Sequence, residues 1–200
     1  MSTATLTKKQ EMRLKRVMIS AEELMLEQGF YKLSITQLCN RLKVSRSTIY
    51  EHFGSKEGLV EAVVKAYREK LDRGIHQIFT EPALSPTDKL SAMAMQMVEN
   101  LHGRDTSRFL EDLKLHMPLL YNEYLQDRDK RTVRYYAPLI KEAIAIGSLP
   151  SHIPEDFLLH LYLNTVRMAC QSDLIEKSGL TKAQVIKNTI RVFFDGASKL

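Results

Sequence analysis

Two hydroxyl residues, Ser34 and Ser45, set the length of what can form between them. Ser34 stands directly before the apolar run Ile35, Leu38, Cys39 and Leu42, whose spacing is that of one helix face, and Gln37 lies where a reciprocal capping box needs it. A helix therefore starts near Ile35. It runs only to about Leu42, because Ser45, followed by Arg46, Ser47 and Thr48, offers a second cap before Ile49 and Phe53 resume helical spacing. Two helices of about two turns each are thus joined by Leu42-Lys43-Val44, which is helix-turn-helix spacing.

In such a motif the second helix lies in the major groove of duplex DNA with its N-terminal residues at the base edges, while the first crosses the backbone. That assigns Ser45, Arg46, Ser47 and Thr48 to the bases. An arginine makes a bidentate bond to guanine, short hydroxyls serve either base, and a threonine methyl can meet a thymine methyl. Phosphate contacts position the reader without specifying sequence. The candidates are Thr36 in the first helix, Lys43 in the turn, Tyr50 and His52 late in the second helix, and Lys56 beyond it. Lys56 follows Ser55, which reads as the N-cap of a further helix with Glu57 favouring its dipole. A helix N-terminus with an ammonium beside it is a phosphate grip.

Charge points the same way. Positions 1–56 hold 10 basic and 5 acidic residues, and the remaining 19 and 19 cancel, so the whole formal net charge of +5 sits in the segment that carries the motif. Without that motif, Lys8, Lys9, Arg13, Lys15 and Arg16 would read as a solvated helix face. These residues belong to an N-terminal helix that starts on a capping pair, Thr7 with Gln10, and carries the stripe Leu14, Val17, Ala21, Leu24 and Met25. Gly29 ends it as a left-handed residue and Phe30 turns inward, which completes a three-helix core. Residues 1–6 read as a disordered arm.

Beyond Gly58 the chain is a series of helices separated by breakers, without strand-like alternation. One helix runs from Ser55 to about Phe79, and the next opens at Ser85-Pro86 and buries Leu90, Met93, Ala94, Met97, Val98 and Leu101. Arg104 to Ser107 break the chain, Phe109 to His116 make a short helix, and Pro118 starts another that bends or restarts at Pro138. The last two helices are expected from Pro154 to about Gln171 and from Thr181 to Ala197. The final one is apolar around more than one face, so it either fills its own core or packs on a second subunit. A groove-reading motif favours the second alternative, because two heads on a twofold axis read a palindrome.

Other classes of function lack their residues. The chain has no apolar run long enough to span a bilayer and no secretion signal, which predicts a cytoplasmic protein without a membrane partner. Cys39 and Cys170 show no paired spacing, the six histidines follow no ligand pattern, and no Gly-rich phosphate loop or nucleophile elbow occurs, so no metal, cofactor or catalytic residue is expected.

Ser34-Ile35-Thr36-Gln37-Leu38-Cys39, Val44-Ser45-Arg46-Ser47-Thr48-Ile49-Tyr50, His52-Phe53 and Ser55-Lys56-Glu57-Gly58-Leu59, preceded by Gly29-Phe30, resemble the N-terminal domain of TetR-family transcriptional regulators. The resemblance covers the first quarter to third of the chain. It departs from the family's usual pattern at Lys43 and Ser47, where glycine is common, so a positive φ at Lys43 is expected and the operator sequence is this chain's own. The resemblance implies an all-α protein with a three-helix DNA-binding domain at 1–54, a connecting helix at 55–79, and a larger helical-bundle domain at 80–200 for effector binding and dimerisation. It implies pairing through the last two helices into a four-helix bundle, here with Phe157, Leu161, Ile186, Ile190, Phe193 and Phe194 as candidates. It also implies a small-molecule effector. A subset of Met93, Met97, Phe109, Leu113, Met117, Leu120, Tyr121, Tyr124, Tyr135, Tyr162 and Met168 would line its site, with His116, Asn164 and Arg167 as polar handles and the rest serving as core. The expected activity is a dimeric repressor that binds a palindromic operator and is released by an apolar or amphipathic molecule acting through the connecting helix. An architectural DNA binder or an activator without a sensor is the alternative.

Overall fold

The computed structural model describes residues 7–100, 107–169, 175 and 177–197, and among them every regular element is helical. In chain order these are α1 (Lys8–Gln28), α2 (Ile35–Leu42), α3 (Arg46–Phe53), α4 (Lys56–Phe79), α5 (Pro86–Asn100), α6 (Ser107–His116), α7 (Pro118–Arg131), a π turn (Thr132–Tyr136), α8 (Ala137–Ala145), α9 (Glu155–Ala169) and α10 (Lys182–Ala197). The expected N-terminal arm, Leu101, Arg104, Cys170 and Gln171 lie outside the described residues.

Local capping chemistry sets most of the boundaries. Thr7 and Gln10 close a reciprocal box at α1, with the Thr7 N–H donating to Gln10 Oε1 at 2.8 Å and the Gln10 N–H donating to Thr7 Oγ1 at 3.3 Å. Thr181 and Gln184 repeat it before α10, at 2.9 and 3.3 Å. Ser85 accepts from the Asp88 N–H at 3.1 Å, and Pro86 takes the first position of α5, where a missing N–H costs nothing. Pro138 has no N–H to offer the Arg134 carbonyl and its ring would strike it. The coil widens there: the Ala137 N–H reaches Thr132 O, and the helix continues through a π turn instead of stopping.

The chain divides into two compact units. The head comprises Met1–Glu69 with Thr106–Asn122, and the body comprises Lys70–Asp105 with Glu123–Leu200. The division therefore falls inside α4, between α5 and α6, and inside α7. The reason is where α6 finds its apolar partners. Leu113 is completely buried in a cluster with Val17, Ala21, Met25, Leu38, Ile49 and Leu59, and Phe109, Met117, Leu120 and Tyr121 pack against the same cluster. The body has its own core, built on Leu90, Met93, Leu139, Ile140, Leu158, Tyr162 and Ile186.

Gly29 is the backbone position that admits α6 to the head. It sits at φ 80°, ψ 156°, an extended corner closed to residues with a Cβ, and not the left-handed helical conformation expected of it. A Cβ there would also lie 2.3 Å from Asp112 Oδ2 on α6. Phe30 turns inward as expected, with its ring edge-on to Phe109 at 6.5 Å.

Candidate nucleic-acid interface

Three cap residues hold α2 and α3. Ser34 accepts the Gln37 N–H at 3.4 Å, the forward half of the expected box. Lys43 ends α2 in the left-handed region at φ 54°, ψ 46°, so the turn is made without glycine. Ser45 accepts the Thr48 N–H at 3.2 Å and starts α3. Ile49 is completely buried, and this pins the inner face of α3 to the head core. The elbow to α4 is tight. Ser55 accepts the Gly58 N–H at 3.0 Å, and a Cβ on Gly58 would meet the Phe53 carbonyl at 2.0 Å, so only glycine fits beneath the end of α3.

On the outer side Thr36, Lys43, Ser45, Arg46, Ser47, Tyr50 and His52 are exposed, and Thr48 is half-buried. Their side chains are partly engaged with one another. Ser45 Oγ lies 2.8 Å from both Ser47 Oγ and Thr48 Oγ1, so its hydroxyl serves the cap and its neighbours. Arg46, the side chain best suited to guanine, donates from Nη2 to Thr36 Oγ1 across the motif. Lys56 donates from Nζ to the Tyr31 carbonyl at 2.7 Å and stands 5.8 Å over the Tyr31 ring. Sequence reasoning missed Tyr31. Its one signal is an aromatic residue placed in the α1–α2 turn, where polar residues are usual.

The candidate sensor residues do not come together. Phe109, Leu113, Met117, Leu120 and Tyr121 belong to the head core, and His116 stacks on Tyr31 there. Met168 is 51% exposed on α9, and Asn164 and Arg167 are exposed as well, so none of the three points into the body core. Met93, Met97, Tyr135 and Tyr162 are in that core or packed against it, while Tyr124 is half-buried in the body. Tyr162 donates to Leu90 O at 2.7 Å, which satisfies its hydroxyl. Three interior polar groups of the body went unanticipated. Gln96 Oε1 is buried and has no hydrogen-bond partner among the described residues. Burial pushes the Tyr136 hydroxyl up to about 12, against the opposing effect of Arg131. Arg131 is itself buried and pairs with Asp72 at 3.3 Å.

The candidate pairing residues separate equally clearly. Ile186, Ile190 and Phe193 are buried in the body core and Phe194 packs against it, so they fill their own chain's interior. Phe157 and Leu161 are exposed on α9, at 58% and 43%, with Met168 further along the helix. One stripe of α9 is thus apolar and uncovered while the facing sides of α9 and α10 are spent on the core.

Among the described residues no helix is long and apolar enough to cross a membrane. The profile of bacterial regulatory proteins of the tetR family matches residues 18–63, which is most of α1 together with α2, α3 and the first turns of α4. Over 192 residues the chain is 22% identical to the uncharacterized HTH-type transcriptional regulator YvaF of Bacillus subtilis (strain 168), covering 91% of this chain and 94% of that protein. It is 22% identical over 141 residues to the HTH-type transcriptional repressor KstR2 of Mycolicibacterium smegmatis, covering 70% of this chain and 68% of that one. The crystal structure of FadR from Bacillus subtilis, in complex with stearoyl-CoA, shares the fold with a TM-score of 0.65 over 92% of this chain and 98% of that chain, at 14% identity. The tetR-family profile lands on the very helices whose caps build the groove reader, so residues 18–63 carry the DNA-binding domain of that family, and the chain as a whole is similar along most of its length to HTH-type transcriptional regulators.

Proposed function

We propose that the protein is a homodimeric repressor that binds a palindromic operator through Arg46, Ser47 and Thr48 and leaves it when a small apolar or amphipathic molecule binds the body. The observation that carries the DNA reading is the outer face of α2 and α3. Seven polar or basic side chains lie exposed there, while Ile49 anchors the helix that presents the readers. Arg46, Ser47 and Thr48 supply direct base contacts. Thr36, Lys43, Tyr50, His52 and Lys56 contact phosphates, which set register and orientation. Ser45 contributes chiefly as the cap that aims the helix.

Pairing uses the exposed stripe Phe157, Leu161 and Met168 of α9, together with Val192 of α10, which is 71% exposed. Two copies related by a twofold axis would cover it and present two α3 helices to successive half-sites. The effector lies among Met93, Met97, Tyr136 and Tyr162, where flexible and aromatic groups surround few polar atoms. The buried carbonyl of Gln96 is an acceptor that a ligand donor would satisfy. FadR, which shares the fold, holds stearoyl-CoA, a ligand with a long apolar part. The chain passes between head and body within α4 and within α7, so a change in the body reaches the head through both helices. A coupling of about 1–3 kcal/mol, roughly 5- to 150-fold in operator affinity, is the usual size of such an effect.

Selection of bound duplexes from a random pool, followed by sedimentation of the complex, tests the reading. The expected result is a palindromic consensus bound by two copies. A monomer that retains no sequence preference would overturn it.

A further inference from the structure

Tyr31 stands in the turn between α1 and α2, and the head grips it at three points. Its N–H donates to Asp112 Oδ2 of α6 at 2.9 Å. Its ring stacks on His116, one helical turn further along α6, with centroids 4.3 Å apart and planes 14° from parallel. Its carbonyl accepts from Lys56 Nζ at 2.7 Å, and the same ammonium lies 5.8 Å over its ring. A side chain that is 63% exposed is not held this way by burial. The bonds to its backbone and the stack on its ring hold it.

Gly29 supplies an independent observation. Any Cβ at that position would lie 2.3 Å from the Asp112 carboxylate oxygen that accepts the Tyr31 N–H. The α1 terminus is therefore shaped to let α6 reach this peptide group. The fully buried Leu113, next to Asp112, fixes α6 to the head core, so the carboxylate is delivered from a rigid element.

We propose that Tyr31 is the positioning residue of the phosphate grip: α6 fixes Tyr31 through Asp112 and His116, and Tyr31 in turn holds the Lys56 ammonium at the start of α4. The inference rests on the reading of Lys56 as a phosphate contact. A free lysine loses much rotamer freedom when it meets a phosphate. Here the carbonyl takes one of the three ammonium donors and the ring face attracts the charge, so the side chain is placed before DNA arrives and two donors remain for the phosphate. α6 is on this account part of the DNA-binding machinery although none of its residues touches DNA.

The test measures binding of a fluorescent duplex, chosen from a random pool by the unaltered protein, and of an unrelated duplex of equal length, across a salt series. Lys56→Ala lowers affinity for both and reduces the salt slope by about one. Tyr31→Ala and Asp112→Ala lower affinity for both about two- to tenfold and leave the slope unchanged, because the number of phosphates contacted stays the same. Tyr31→Phe and Asp112→Asn, which keep the ring and the acceptor, bind as the unaltered protein does. In the Lys56→Ala background Tyr31→Ala has no further effect. His116→Ala gives a second route should Asp112→Ala fail to fold, and it follows the Tyr31→Ala pattern. Equal losses from Tyr31→Ala with and without Lys56 would overturn the proposal in favour of a merely structural role. Equal losses from Tyr31→Phe and Tyr31→Ala would overturn it in favour of a direct contact from the hydroxyl. If Lys56→Ala changes neither affinity nor slope, the phosphate reading of Lys56 itself has failed.

Discussion

On the proposed DNA reading, Arg46 and Lys43 each answer to both stability and recognition. The Arg46 guanidinium is held by the Thr36 hydroxyl and exposed at the first turn of α3, where it can exchange that hydroxyl for a base edge. Arg46→Ala is expected to cost about 1–3 kcal/mol of operator binding and to relax preference at the bases it reads, with little effect on binding to unrelated duplexes. Parallel gel-shift titrations on the selected and unrelated sequences check this, and equal losses on both would assign Arg46 to a phosphate instead. Lys43 bears the only positive φ outside glycine among the described residues, at 54°. A left-handed conformation costs a residue with a Cβ about 1–2 kcal/mol. Lys43→Gly is therefore expected to raise the melting temperature of the protein while weakening DNA binding through the lost cation. Calorimetry and a binding titration on the same preparation separate the two signs.

At the level of the element, α6 belongs with the helices it packs on and not with those beside it in the chain. Leu113 buries its whole side chain in the head cluster. Leu113→Ala leaves a cavity there, and large-to-small changes of this kind cost about 2–5 kcal/mol. The loss is expected to fall on the head. Hydrogen exchange should accelerate in α1 and α2 while the amides of α9 keep their protection, and loss of protection confined to the body would show that α6 has been wrongly assigned. The π turn carries a similar lesson about neighbours: Pro138 cannot join the α register, yet the helix survives it because Tyr135 and Tyr136 are packed against the body core. The aromatic contacts of Tyr135 with Phe79, at 5.4 Å, and of Tyr136 with Tyr162, at 6.2 Å, hold the irregular turn in place.

For the whole molecule the proposed homodimer turns on which apolar surface would meet a second copy. Ile186 and Phe193 are inside the body, whereas Phe157 and Leu161 are not. Leu161→Glu is expected to yield a folded monomer with normal helical content and sharply reduced operator affinity, because one head alone loses the half-site partner. Ile186→Glu buries an unpaired charge and is expected to unfold the body outright. Sedimentation velocity with circular dichroism distinguishes these outcomes, and a Leu161→Glu protein that remains dimeric would move the pairing surface elsewhere.

Much of the architecture follows from neighbours in the sequence. The caps Thr7, Ser34, Ser45, Ser55, Ser85 and Thr181 act over three or four residues, so their hydrogen bonds and the helices they start were readable without coordinates. The exposed position of Arg46 at the start of α3 follows from the same local rules, and so does the strained turn at Lys43. Partner choice is a different kind of fact. Leu113 and Met93 have the same apolar character, and nothing within a few residues of either tells the head core from the body core. The apolar pattern of Ile186, Ile190 and Phe193 would look identical whether it faced its own chain or another. Tyr31 gained its contacts only when α6 was brought back across 81 positions of sequence to bond it. Hydrogen bonds that close a helix end are decided by chain connectivity, but which hydrophobic faces meet is decided by the packing of the whole chain, and only the tertiary structure records that decision.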